Sequence, residues 1–91
     1  MFEYLEQLIQ TIRERKNSSS DKSYTNKLLN DKNLRVSKVK EEIDELIESV
    51  DKNSNKIHEA ADVIYHLMVY LEANNIKIEN VMDELKKRQK K

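Results

Sequence analysis

The sequence predicts an all-α fold of four to five helices packed in a bundle-like way, and three observations predict it. Glycine and proline are both absent from the 91 residues, and sheet proteins of this size usually need glycine at their tight turns. Apolar residues recur at spacings of three and four along most of the chain, the period of an amphipathic helix. Asn17, Asn30, Asn33, Asn53, Asn55, Asn74 and Asn75 stand where that period breaks, and asparagine can take the left-handed conformation that ends a helix.

The first helix is expected from about Phe2 to Lys16, with Phe2, Leu5, Leu8, Ile9 and Ile12 as its apolar stripe. NSSSDKS then breaks the pattern with loop and cap residues. A short helix follows around Tyr24 to Leu29. The third helix covers about Leu34 to Asp51, with Val39, Ile43, Leu46, Ile47 and Val50 as its stripe. Asn53 to Asn55 form a turn, with Ser54 as the expected N-cap of the next helix. The fourth helix runs from about Lys56 to Asn74. The last covers about Ile78 to Lys90, with Ile78, Val81, Met82 and Leu85 facing inward. Residues 1–91 read as one small domain.

Several functions are disfavoured by composition. Seventeen basic and seventeen acidic residues cancel, so no global field attracts nucleic acid or an anionic membrane. The terminal KKRQKK reads as a solvated tail. No apolar run approaches the roughly 20 residues that span a bilayer. Glu3 and Glu6 interrupt the apolar pattern of the N-terminus, unlike a signal peptide. The lack of cysteine excludes disulfides and thiolate metal sites, and it fits a reducing, cytoplasmic setting.

The fourth helix is apolar around well over half its circumference, as a buried helix is, yet it carries Glu59 and Asp62. Ionised carboxylates enclosed without a partner cost several kcal/mol each, so something positive is expected beside them. A buried lysine or arginine, such as Lys38 or Arg15, is one candidate. His66, one turn after Asp62, reads as a hydrogen-bonded core histidine, and His58 as a surface residue. A cation is the other candidate. Glu42 and Glu45 on the third helix are spaced i, i+3, as are Glu59 and Asp62, so each pair projects two carboxylates from successive turns. Antiparallel across the turn, the two helices could close four carboxylates into one cluster. An all-oxygen set calls for a hard cation, Mg²⁺ or Mn²⁺ as its substitute. Mg²⁺ usually keeps waters and takes phosphate oxygens as further ligands, so the expected substrate is phosphorylated.

The residues Glu41-Glu42-x-x-Glu45 and Glu59-x-x-Asp62 resemble the EExxE…ExxD signature of the all-α, MazG-like nucleoside triphosphate pyrophosphohydrolases. SYTNKLL (Ser23 to Leu29), EAADVIYHLMVYL, IKIENVMDELKKR and the ERK at Glu14 to Lys16 narrow the resemblance to the phosphoribosyl-ATP pyrophosphohydrolase family of histidine biosynthesis. It extends over nearly the whole chain. Two departures stand out: Lys40 where the family usually has glycine, and Asp21-Lys22 where it has glycine or proline before SYT.

The resemblance implies hydrolysis of phosphoribosyl-ATP to phosphoribosyl-AMP and pyrophosphate. It implies that Mg²⁺ held by Glu42, Glu45, Glu59 and Asp62 orients the attacking water, with Glu41 or one of the ligands as proton acceptor. Arg15, Lys16, Lys27 and Lys38 are then candidates for phosphate contacts, with Ser23 and Thr25 as hydroxyl donors. The alternatives are a house-cleaning pyrophosphatase of ordinary or damaged nucleotides, and a non-catalytic helical oligomer. Five helices in 91 residues cannot cover the fourth helix on every side, so a homodimer at least is expected.

Overall fold

A computed structural model describes residues 1–17 and 23–89. Among these residues the chain forms five helices and no strand: α1 (Glu3–Lys16), α2 (Tyr24–Asn30), α3 (Lys32–Lys52), α4 (Lys56–Ala73) and α5 (Ile78–Arg88). The expected helices are all present, with ends shifted by one or two residues. Asp21, Lys22 and Lys90 lie outside the described residues.

Short polar side chains and left-handed asparagines set the boundaries. Ser23 caps α2, its Oγ accepting the Asn26 N–H at 3.1 Å. A single extended residue, Asp31, separates α2 from α3, and its Oδ1 accepts the Leu34 N–H at 3.0 Å. Asn33, expected at a break, therefore lies in the first turn of α3. At the far end of α3, Asn53 takes φ 52°, and the Ser54 N–H reaches back to the Ser49 carbonyl at 3.0 Å. The end of α4 repeats this device. Asn75 takes φ 59°, and the Ile76 N–H donates to the Leu71 carbonyl at 2.9 Å. Both closures are of the kind in which a left-handed residue satisfies the last helix carbonyls.

The expectation that Ser54 caps α4 fails. Asn55, at φ 56°, occupies that position and makes no side-chain cap bond. The turn needs two left-handed residues on either side of Ser54, and asparagine is the residue of this glycine-free chain that tolerates the conformation best.

The core is built from Ile9 and Ile12 of α1, Leu28 of α2, and Met68 and Val69 of α4. Leu5, Leu8, Leu29, Leu34, Tyr65, Leu71 and Ile78 pack around it. α3 behaves differently from expectation. It buries Arg35, Glu42 and Ser49, seven residues apart on one face, and leaves Ile43, Ile47 and Val50 of its apolar stripe exposed. The reason is that α3 packs most extensively on α4, and does so through the polar face beside the stripe. Nor does the chain itself enclose α4, because Ile57 is 89% exposed and Ile64 and Leu67 also face solvent. α5 buries no residue fully, and Met82 and Leu85 are about half exposed.

Polar contacts tie the far end together. Arg13 bonds Glu72 through Nε at 2.9 Å and grips both oxygens of Glu79 at 2.9 and 2.6 Å. This contact pulls the Glu79 carboxyl down to about 2. Its support of α5 is therefore full above the ordinary carboxylate range and declines from there as pH falls through about 2. Lys16 Nζ donates to the Glu72 carbonyl and to Asn75 Oδ1, both at 2.7 Å. Arg35 closes α2, its guanidinium donating to the carbonyls of Leu28 and Leu29 at 3.0 Å each.

Candidate metal centre

The second half of α3 carries Glu41, Glu42 and Glu45, and the first half of α4 carries Glu59 and Asp62. The tight turn at Asn53–Asn55 folds these halves against each other. As a result Glu42, Glu45 and Glu59 each place a carboxylate oxygen within 4.8 Å of the others. His58, Glu59 and Asp62 form a second such group. Glu59 belongs to both, so the groups are contiguous.

The electrostatics of the cluster are unfavourable by itself. Glu42 is 7% exposed, and the Oε2 atoms of Glu42 and Glu59 are buried without a hydrogen-bond partner. Burial raises the Glu42 carboxyl above the usual carboxylate range, and the charges of Glu45 and Asp62 raise it further while His66 opposes them. Burial and then Glu45 push the Glu59 carboxyl up in the same way. Buried acceptors left unsatisfied cost free energy, and carboxylates sharing a site repel. The set of Glu42, Glu45 and Glu59, all oxygen and with two buried oxygens left without a partner, fits a hard cation.

Around the cluster, the sequence-predicted residues divide. Lys38 lies beside the acids, its Nζ 3.5 Å from Glu41 Oε2 on its own helix. Asp62 pairs with His58 at 3.4 Å. α2 packs on α1, α3 and α4 and brings the SYTNKLL segment to the site. There Ser23 acts as a helix cap, Thr25 Oγ1 shares a short hydrogen bond with the Tyr65 hydroxyl, and Lys27 is exposed. The Arg15 carbonyl accepts a long bond from Asn26 Nδ2 at 3.5 Å. Lys16 is not brought to the cluster. It is bound at Glu72, 13 residues beyond Glu59, which is about 20 Å along the helix at 1.5 Å per residue. An apolar groove of about 640 Å³ between α1 and α5, lined by Leu5, Ile9, Ile78 and Met82 among others, includes none of the clustered acids.

Three residues have a place at the site that the sequence reading did not give them. His66 is the hydrogen-bonded core histidine it was expected to be, but its partners place it in the site. Its Nδ1 lies 2.7 Å from the Asp62 carbonyl and its Nε2 lies 3.0 Å from the Tyr24 hydroxyl. A carbonyl only accepts, so Nδ1–H donates to it, and Nε2 is left to the Tyr24 hydroxyl. Tyr24 is thereby fixed beside the acids; its presence within SYTNKLL was the available signal. His58, taken for a surface residue, is exposed but sits with Glu59 and Asp62, and its i+4 spacing to Asp62 was the clue.

The profile of a family described as "Phosphoribosyl-ATP pyrophosphohydrolase" matches residues 5–89. A "Phosphoribosyl-ATP pyrophosphatase" of Clostridium acetobutylicum is 44% identical over 95 aligned positions, covering 98% of this chain and 84% of that one. The protein of the same name from Clostridium novyi (strain NT) is 42% identical over 93 positions, covering 96% and 82%. The "Histidine biosynthesis bifunctional protein HisIE" of Buchnera aphidicola is 41% identical over 91 positions, covering 97% of this chain and 42% of that longer protein.

Proposed function

Because the chain belongs to the phosphoribosyl-ATP pyrophosphohydrolase family, we propose that it hydrolyses phosphoribosyl-ATP to phosphoribosyl-AMP and pyrophosphate, using Mg²⁺, in histidine biosynthesis. The observation that carries the reading is the convergence of carboxylates from α3 and α4, among them the buried oxygens of Glu42 and Glu59 that have no hydrogen-bond partner. Glu42, Glu45, Glu59 and Asp62 would hold Mg²⁺, or Mn²⁺ in its place. The chemistry a bound ion supplies there is neutralisation of the triphosphate and orientation of a water for in-line attack on the α–β bond.

The chain's own residues do the rest. Glu41, or one of the four acids, accepts the proton of the attacking water. Lys38, beside the acids, contacts the triphosphate, while Lys27 and Arg15 contact the phosphate of the second ribose and Ser23 and Thr25 offer hydroxyls there. Lys16 is the weakest member of that set, since its ammonium is engaged at the far end of α4. Lys40, on the exposed side of α3, leaves the acids unobstructed. We place the reaction in the cytoplasm, in keeping with the cysteine-free chain; among the described residues no helix is long and apolar enough to cross a membrane. Incubation with phosphoribosyl-ATP and Mg²⁺, with the products separated by ion-exchange chromatography, should yield phosphoribosyl-AMP and pyrophosphate in equal amounts. Release of orthophosphate instead would defeat the assignment of the bond cleaved.

The working form is a homodimer at least, built around α3 and α4, with α1 or the SYTNKLL segment of one subunit near the other's acids. Supporting this are the exposed isoleucines, Ile43 and Ile47 on α3 and Ile57 and Ile64 on α4. Large apolar side chains left uncovered on both helices that carry the site call for a partner surface. Light scattering at micromolar concentration is expected to report about twice the chain mass, and Ile47→Glu to lower it. A well-folded, active monomer would contradict the proposal.

A further inference from the structure

Tyr24 is held in an unusual way for a residue that is 45% exposed. Its hydroxyl is fixed by the buried His66, itself fixed by the Asp62 carbonyl. Its ring lies roughly parallel to that of Tyr65, 6.3 Å between centroids and 21° between planes, and edge-on to His66 at 5.8 Å. The polar tip is thus turned inward while part of the ring stays open to solvent. A merely structural tyrosine needs no such open face. Burial raises the Tyr24 hydroxyl above its ordinary range, and the groups whose charge acts on it are Lys38, Tyr65, Glu42 and Glu41, so the ring stands at the border of the acid cluster. Lys38 is the one cation among them, and it is paired with Glu41 at 3.5 Å.

The chemistry of the proposed substrate gives this ring a task. In phosphoribosyl-ATP the second ribose is attached to N1 of adenine. Alkylation at N1 turns the amidine of the base into a much stronger base, which holds a proton at neutral pH. The ring system is then a delocalised cation, whereas the adenine of ATP is neutral. An aromatic face attracts a flat cation through its quadrupole, and nearby carboxylates add to the attraction.

On the reading above, which this inference rests on, we propose that Tyr24 stacks on the substrate's base and selects an N1-substituted, positively charged adenine over a neutral one. This selection is separate from recognition of the second phosphate. It acts on the base itself, and therefore extends to analogues that lack the second ribose.

The test uses 1-methyl-ATP, which carries the charged base without the phosphoribosyl group. Wild-type protein with Mg²⁺ should cleave 1-methyl-ATP about tenfold better than ATP in kcat/KM, the factor that about 1.4 kcal/mol of cation–π attraction gives. Tyr24→Phe keeps the ring and should keep the preference. Tyr24→Leu should erase it, with helical circular dichroism confirming the fold. In wild type the preference should also shrink as pH rises and the methylated base loses its proton, a measurement of initial rates that needs no variant. Equal use of 1-methyl-ATP and ATP by wild type, a preference independent of pH, or one that survives Tyr24→Leu overturns the inference. Failure of wild type to cleave phosphoribosyl-ATP overturns the underlying reading instead, so the two failures are distinct.

Discussion

Glu42→Ala and Glu59→Ala should each lower kcat by about a hundredfold or more, the loss expected when several kcal/mol of metal-borne charge stabilisation disappears. These two residues supply the buried oxygens that lack a partner, so they are the ones whose removal a bound ion would feel most. Their removal should not unfold the chain. Each carboxyl is held above its ordinary range by burial and by Glu45, so taking one acid away relieves repulsion. Circular dichroism and melting of the variants without metal should match or exceed wild type. The same should hold, with somewhat smaller losses, for Glu45→Ala and Asp62→Ala. Excess EDTA should abolish wild-type turnover, and Mn²⁺ should restore it. Activity that persists through chelation would sink the metal site as drawn, while collapse of the fold in Glu42→Ala would mean that the acids serve a structural pairing.

Phosphoribosyl-ATP should be hydrolysed at least about a hundredfold better in kcat/KM than ATP, which corresponds to two charge-assisted contacts of about 1.5 kcal/mol each. The second phosphate lies far from the triphosphate, and binding energy gained there raises kcat/KM in a way a truncated substrate forfeits. Most of the candidates for phosphate contact lie in the stretch from Arg15 through Lys27. The structure sorts it: Lys16 is engaged at Glu72, Thr25 at Tyr65, and Ser23 at the start of α2, while Lys22 lies outside the described residues. Lys27 projects from α2 into solvent and is the side chain to test. Lys27→Ala should lower kcat/KM for phosphoribosyl-ATP about tenfold and leave ATP hydrolysis nearly unchanged. If ATP, dCTP or dUTP is cleaved as well as phosphoribosyl-ATP, the house-cleaning reading takes the place of the histidine-pathway one.

The helices were legible because their signals are local. The i, i+3 pairs of acids and the apolar period of three to four lie within single turns, and both appear where expected. So does the asparagine turn, since a glycine-free chain has few other ways to reverse direction. Which face of α3 meets α4 was not legible. The apolar stripe of Ile43, Ile47 and Val50 looked like the inner face, but a stripe shows only that a surface wants cover, not whose surface covers it. The inner face is the polar one of Arg35, Glu42 and Ser49. Hydrophobicity gives no warning of it, because Arg35 is buried by bonding the carbonyls that end α2 and Glu42 by joining the acids. The partners of Lys16 were hidden for a related reason. Its neighbours in sequence suggested the site, while its partners at Glu72 and Asn75 lie more than 50 positions away, and nothing local announces a contact of that range.

Surface loops commonly tolerate extra residues, but the reversal at Asn53–Asn55 should not. An added residue there has two fates. Looped out, it disturbs the paired left-handed asparagines and the Ser54-to-Ser49 bond that close α3. Absorbed into α4, it turns everything that follows by about 100° and swings Glu59 and Asp62 away from Glu42 and Glu45. The connection thus acts as a phase setting between two helices rather than as a link of adjustable reach. Length variation among proteins of this kind should therefore gather outside the segment from Glu42 to Asp62, which joins the two halves of the acid cluster.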